Sequence, residues 1–399
     1  MKVLLCLLSD QHVPNLLSVH HYLPDRLILV ESTAMQRKKA AFNFLRALRA
    51  GGLDYETEER YSAPPLEDVN DLSVIRNCLK QEYARYPSDE WIANVTGGMK
   101  PMSIAAYEFF KALGARVIYI DVAKPDTILS LDGGTPELCQ HELKIPEFVA
   151  GYGFEASKSD EVIGQGEKRA ETWWPCARAI AQHAPDSNLL QTASREEWRQ
   201  AREKGLQLQR RHLTGLPAEV QSSLEQCFGL VATSGSLAGK IDKYAGKFLT
   251  GEWLEQFVWC LLHQHAKLLG LNDVHLGVEA KRGNAATDFD VAFIRRHALG
   301  AVECKSGSQE HGDDPNAPLD KLEARMQQFR ALRVNPILVT TSKQILDDNG
   351  EVKPTFATRA SIYGCRLVTL RQIQSLASRP DDGELVRTTF FPDSQGQET

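Results

Sequence analysis

Over the first third of the chain, short apolar runs alternate with amphipathic ones. KVLLCLLS, from Lys2, predicts a buried strand, and NLLSVHHYL after it a helix. RLILVES predicts a second strand. MQRKKAAFNFLRALRAGG predicts a helix stopped by Gly51 and Gly52, since glycine adopts the left-handed backbone that ends helices. DYETEERY reads as a weaker third strand and DLSVIRNCLKQEYARY as a helix. EWIANVTGG, KPMSIAAYEFFKALG and ARVIYIDVA follow as strand, loop-to-helix and strand. Such alternation implies a mostly parallel sheet with helices on its faces.

From about Pro146 to Lys247 the strand pattern nearly vanishes. TWWPCARAIAQHA, SREEWRQAREKGLQLQRRH and GLPAEVQSSLEQCFG read as helices, and the small-residue run LVATSGSLAGKIDKYAGKFL as a connection. Arg195, Arg199, Arg202, Lys204, Arg210 and Arg211 stand among Glu196, Glu197 and Glu203. Mixed signs fit a solvated helix face; a groove for a nucleic-acid strand is the other reading. Trp173, Trp174 and Trp198 fit packing between domains, or stacking on bases.

Strands return in the last third. In TDFDVAFIRRHALGAVECKSG, period-two alternation puts Asp288 and Asp290 on one side of a strand and Phe289, Val291 and Phe293 on the other. A turn at His297–Gly300 leads to a partner strand on which Glu303 and Lys305 share a face. An amphipathic helix over 251–270 precedes the pair, with Glu252 and Glu255 in its first turns. DKLEARMQQFRALR, NPILVTT and RLVTL supply a further helix and two strands. The polar tail from about Pro380 predicts no structure at its extremity.

The length of 399 residues implies two or three domains, and 42% apolar with 25% charged residues is ordinary for a globular protein. A net charge of -6 excludes a protein that coats nucleic acid non-specifically, so any such contact must be local. The eight cysteines are scattered without a C-x-x-C pair, as expected of reduced thiols in a cytoplasmic protein. No apolar run approaches the roughly 18 residues that span a membrane, and no membrane partner is expected. His263, His265, His297 and His311 lack zinc-site spacing and read as surface or packing residues.

Two places carry candidate chemistry. In open parallel sheets ligands sit beyond the carboxyl ends of the strands. There lie Ser9–His12 and the loop Asn94-Val95-Thr96-Gly97-Gly98-Met99-Lys100. Paired glycines allow close backbone approach, a helix N-terminus attracts anions, and Thr96 and Lys100 add a hydroxyl and a charge. The loop is neither a Walker A motif nor G-x-G-x-x-G; a tight turn with a surface lysine is the plain alternative. The second place is the acid–lysine set. Phosphodiester hydrolysis needs an activated water and relief of charge on a non-bridging oxygen. Carboxylates holding Mg²⁺ or Mn²⁺ provide both, and a lysine can stabilise the developing charge. A surface Glu–Lys pair on an edge strand would look similar locally.

The N-V-T-G-G-M-K loop resembles the N-x-T-G-G-x-K loop of CARF domains, the Rossmann-like sensors of CRISPR-associated proteins. That likeness implies a homodimer binding a cyclic oligoadenylate through Asn94, Thr96, Gly97, Gly98 and Lys100, with Ser9 and Asp10 in the first-strand loop. The order helix-Glu255, strand-Asp290, strand-Glu303-x-Lys305 resembles the PD-(D/E)xK restriction-endonuclease core. It implies Asp290, Glu303 and Glu255 as metal ligands and Lys305 as catalytic lysine, with Asp288 assisting. A literal Pro-Asp pair is missing.

Together the two ends resemble the Can/Card group of CRISPR ancillary nucleases of type III antiviral defence. The resemblance implies activation by a cyclic oligoadenylate, cyclic tetra-adenylate above all, and cleavage of DNA, with RNA as a further substrate. The expected architecture is α/β: a Rossmann-like CARF domain (1–145), a helical linker or winged-helix-like region (146–247), a restriction-endonuclease-like domain (248–380) and a tail (381–399). A ligand-responsive transcription regulator without nuclease activity, and a sensor that degrades its own activator, are the alternatives.

Overall fold

The computed structural model describes residues 1–57, 60–121, 124–183, 189–190, 192–307, 314, 316–329 and 335–392. The N-terminal sheet is built on parallel strands Lys2–Leu7, Arg26–Ser32, Glu90–Asn94 and Arg116–Ile120. Arg26–Ser32 lies on one side of the first strand and Glu90–Asn94 on the other. The chain therefore reverses its winding direction at the first strand. The Ser9 loop and the Asn94–Lys100 loop both leave from that switch point, where such sheets open a crevice.

Two predicted elements differ. MQRKKAAFNFLRALRAGG forms two helices, Thr33–Arg37 and Ala40–Ala50, separated by Lys39 at φ 57°. The break lets the buried Glu31 carboxylate accept the Ala41 N–H (3.3 Å). The DYETEERY strand reduces, among the described residues, to Tyr61–Ser62. Asp54 and Glu56 stay on the surface beside Arg49 rather than entering a sheet.

The middle region carries the long helix Asp160–Gln182, but it also contains a three-stranded antiparallel sheet. SREEWRQAREKGLQLQRRH is helical only over Arg195–Glu203; Leu206–Thr214 is a strand paired with Ser236–Ile241. Gly205, at φ 89°, ends the helix, and a Cβ there would lie 2.2 Å from the Ile241 carbonyl. Beyond it, Leu206 and Leu208 are buried and Gln207 and Gln209 exposed, a period of two that the arginines mask. The basic residues are ion-paired in part: Arg199 with Glu196 (2.8 Å), Arg202 with Glu252 (3.2 Å) and Arg211 with Glu197. Trp174 stacks on Phe257 (5.5 Å) and Trp173 packs edge-on against Phe228 and Phe248. Trp198 has Arg202 over its ring.

The C-terminal sheet runs Arg366–Val368, Asn335–Thr340, Ala298–Lys305, Ala285–Arg295, Leu271–Arg282, with the two-residue strand Glu155–Ala156 on its edge. The last three long strands form an antiparallel meander, and the first three run parallel. The hairpin turn lies at Arg296–His297, both at positive φ, and not at 297–300; Ala298 already pairs with Arg295. Two residues at positive φ match the right-handed twist of the flanking strands, and His297 is anchored on Asp126 of the sensor (2.5 Å). Residues 383–390, expected within the tail, form a helix that buries Val386 and Phe390.

Three packed cores result. One lies within the N-terminal sheet. A second joins the middle region to the helix Trp253–Gln264, and a third joins N-terminal residues such as Leu29 and Phe148 to Phe289, Ala292 and Ile294. Phe289, expected beside Val291 and Phe293, packs instead on Phe329 (5.8 Å between centroids). Among the described residues no helix is long and apolar enough to cross a membrane, and all eight cysteines are free.

His275 ties the long middle helix to the C-terminal sheet. Its hydrogen bonds to Asp273 and Glu167 outweigh burial and raise its pKa to about 10. A raised histidine contributes stability that is fully present below its unfolded value near 6.5 and lost as pH rises through about 10. His275→Gln should lower the melting temperature at pH 7 by roughly 3 °C. The gap to the parent should close as the pH of the scan approaches 10; a gap independent of pH would refute the assignment.

Candidate functional site

The sensor loop is held by Asn94. Its side-chain amide donates to Asn15 Oδ1 and Ser18 Oγ (both 3.0 Å), and its oxygen accepts from the Thr96 N–H (3.0 Å) and hydroxyl (2.6 Å). Asn94 is wholly buried and shapes the loop from beneath. Thr96 Oγ1 in turn accepts the Ile120 N–H (2.8 Å), pinning the loop to the next strand.

Gly97 follows because no other residue fits: a Cβ there would lie 2.0 Å from the Leu7 carbonyl oxygen. Gly98 takes φ 74° and turns the chain into the helix Lys100–Ala112. Lys100 is exposed at the first turn of that helix. Across the crevice, Ser9 Oγ caps its own loop through Gln11, and Asp10 pairs with Lys38 (2.6 Å) at the surface. Of the residues read from the sequence, Asp10 and Lys100 are exposed, Ser9, Thr96 and Gly98 half-buried, and Asn94 and Gly97 buried, with Asn94 and Thr96 forming the scaffold. Asn15 and Ser18, which complete that scaffold, gave no signal beyond two polar residues on the buried face of their helix.

The second site forms where two strands part. Ala285–Arg295 and Ala298–Lys305 pair as far as Val291 with Val302. One residue further, Asp290 Oδ2 accepts the Cys304 N–H (2.7 Å), so a carboxylate takes the place of a ladder carbonyl. Glu303 is 3% exposed and is gripped from both sides, by Lys305 Nζ on Oε1 (2.7 Å) and Arg325 Nη1 on Oε2 (2.6 Å). Asp288 is exposed, outside this cluster. Arg325 was not anticipated. Its signal was an arginine on the stripe Leu319, Leu322, Met326 that the helix Ala317–Met326 buries.

Electrostatics mark the cluster as strained. Burial, then the charge of Glu303, raises the Asp290 carboxyl to about 6, with Lys305 and Arg325 opposing. Glu255, on the helix Trp253–Gln264, is raised further by burial and by Asp290, Glu252 and Glu303. Burial would lower the Lys305 amine, but Glu303 and Asp290 outweigh it and raise its pKa. Carboxylates this crowded and dry fit a divalent cation, whose charge would let all of them ionise. Glu255 also borders a cleft of about 290 Å³ walled by Lys158, Arg169, Trp173, Tyr244 and Lys247. Cations and aromatic rings there suit a phosphate-bearing strand. The histidines lie elsewhere: His263 stacks on Trp259, His265 bonds the Pro380 carbonyl, and His311 lies outside the described residues.

Residues 3–148 match the family model of the Card1 CARF domain, and residues 242–353 that of the Card1-like endonuclease domain. The fold is similar to Can2 from Sulfobacillus thermosulfidooxidans, solved in complex with cyclic tetra-adenylate, at 18% identity and a TM-score of 0.65, covering 96% of this chain and 98% of that one. VC1899 from Vibrio cholerae is similar at 18% identity and a TM-score of 0.71, over 95% and 97% of the two chains. A type III CRISPR defence DNA nuclease activated by cyclic oligoadenylate shares 19% identity and a TM-score of 0.52, over 90% of this chain and 51% of its own. No curated protein matches. Sensor crevice and acid–lysine cluster fall within the two matched segments, and by these domains the chain belongs to the Card1-like group of CARF-domain endonucleases.

Proposed function

We propose that the chain is a divalent-metal-dependent nuclease of type III CRISPR defence, switched on by a cyclic oligoadenylate, with cyclic tetra-adenylate as activator and DNA as first substrate. The observation that carries the reading is the crowding of half-buried Glu255 and Asp290 with buried Glu303, and Lys305 beside them. Asp290, Glu303 and Glu255 would hold Mg²⁺ or Mn²⁺, which supplies water activation and charge relief on the phosphate. Lys305, kept protonated by Glu303 and Asp290, acts as an electrostatic donor to a phosphate oxygen and not as the base. Arg325 fixes Glu303 so that its carboxylate presents the same face at each turnover.

Two copies would bind one ligand across their sensor crevices, each contributing Lys100 and the helix N-terminus behind Gly98 to its phosphates. Ligand then shifts the balance between two arrangements of the copies, by as much as its affinities for them differ.

The test incubates the protein with supercoiled plasmid and with labelled single-stranded DNA and RNA, with Mn²⁺ or Mg²⁺, with and without cyclic tetra-adenylate, beside a metal-free control. Cleavage only with ligand and metal together is expected. A specific duplex footprint without strand scission would replace this reading with a transcription regulator, and linearised ligand would reveal a self-limiting sensor. Lys100→Ala should keep the parent melting temperature while half-activation needs roughly 100-fold more ligand, the worth of two charge-assisted bonds. An unchanged ligand response would remove Lys100 from the sensor site.

A further inference from the structure

Away from both sites, three side chains of the sensor domain converge. His20 Nε2 lies 2.9 Å from Glu147 Oε1, and His141 Nε2 lies 2.9 Å from Glu147 Oε2. The two imidazoles are stacked, with centroids 3.5 Å apart and planes within 4°. Glu147 is wholly buried and His20 nearly so, while His141 closes the site from the solvent side. All three donor atoms lie within 4.8 Å of one another. Gly51 leaves the space: a Cβ there would stand 2.8 Å from both the Glu147 carboxyl carbon and His20 Nε2.

We propose that His20, His141 and Glu147 form a site for a transition-metal dication, zinc above all. Two imidazole nitrogens and one carboxylate oxygen make a borderline donor set, which suits zinc and ill suits Mg²⁺ or Mn²⁺. Zinc–nitrogen bonds of about 2.0–2.1 Å in a tetrahedron place neighbouring donors roughly 3.3 Å apart, near the 2.9 Å between each imidazole nitrogen and its Glu147 oxygen; one ring turns out of the stack so that both nitrogen lone pairs meet the ion. With three protein ligands, the fourth position is left to water or a small anion.

The site would act as a clasp. His20 ends the helix Val13–Tyr22, which starts just beyond the Ser9 loop, and Glu147 belongs to the helix Ile145–Gly151. The first residue of that second helix donates its N–H to Asp273 of the endonuclease sheet (2.6 Å). A bound ion therefore links the ligand crevice to the segment that enters the catalytic half.

The experiment uses the full chain with Asp290→Asn and Glu303→Gln, which removes the carboxylates of the endonuclease cluster as a second metal site. The protein is equilibrated with Zn²⁺, desalted, and its zinc measured by elemental mass spectrometry. One equivalent per chain is expected, lost when His141→Ala is added. No retained zinc would overturn the proposal and leave a hydrogen-bonded triad only, and zinc kept in the His141 variant would overturn it equally. As a control against unfolding of that variant, the unmutated triad is also loaded with Co²⁺. Intense visible bands of four-coordinate cobalt are expected; the weak bands of six-coordinate oxygen ligation would overturn the assignment.

Discussion

The Asp290→Asn protein should lose cleavage by about ten-thousand-fold and yet, without metal, melt a few degrees above the parent. Both effects follow from the same carboxylate. Burial, then Glu303, raises its pKa to about 6. A carboxyl raised in the folded state contributes stability that is present below its unfolded value and lost as pH rises through the folded one. At pH 7.5 the folded parent therefore carries an ionised Asp290 at a cost of roughly 3 kcal/mol. Asparagine removes the charge and still accepts the Cys304 N–H through its side-chain oxygen. Mn²⁺ should reverse the order, raising the parent's melting temperature by binding the folded state while leaving the variant nearly unmoved. Scanning calorimetry in chelator and in Mn²⁺, beside a cleavage assay, reads all of this. Retained cleavage, or a variant that melts lower in chelator, would make Asp290 a scaffold residue.

Gly97→Ala should be the most damaging small change in the sensor. Its Cβ would meet the Leu7 carbonyl oxygen at 2.0 Å, and that atom already accepts from Asn15 Nδ2 (2.9 Å). Neither the strand nor the loop can yield without breaking the Asn94 network, so a loss of roughly 2–3 kcal/mol is expected, together with loss of activation. Lys100→Ala, which touches only the surface, should separate the two effects by sparing the fold. Thermal melts and ligand titrations of both variants decide it; a Gly97→Ala protein with the parent's melting temperature and response would show that the loop moves freely.

What was legible in the sequence follows from range. Asp290, Glu303 and Lys305 could be grouped because a strand repeats every two residues and a hairpin folds the pattern back on itself. Gly97 was legible as paired glycines, though its reason, a carbonyl from a strand far back in the chain, was not. Arg325 and Asn15 act through partners distant in sequence, so no local period reports them. Leu206–Thr214 was misread because five of its nine residues are Arg, His or Gln in a run that also suits a helix. The hairpin turn was displaced because Arg296 and His297 take backbone angles ordinarily given to glycine or asparagine. That Asn94 shapes its loop from beneath follows from its burial, which a motif cannot express.

The core that Leu29 and Phe148 share with Phe289 and Ile294 has a mechanical consequence. Tightly packed interiors are stiff and pass displacement on instead of absorbing it. Among the described residues, the N-terminal and C-terminal sheets share this packed interior, and within one copy they would turn together as a single lever. If two sensors roll against each other by a few degrees on closing around a ligand, the far ends of both levers sweep through the same angle over a longer arc. Small adjustments at the crevice would then arrive amplified at the cutting edge.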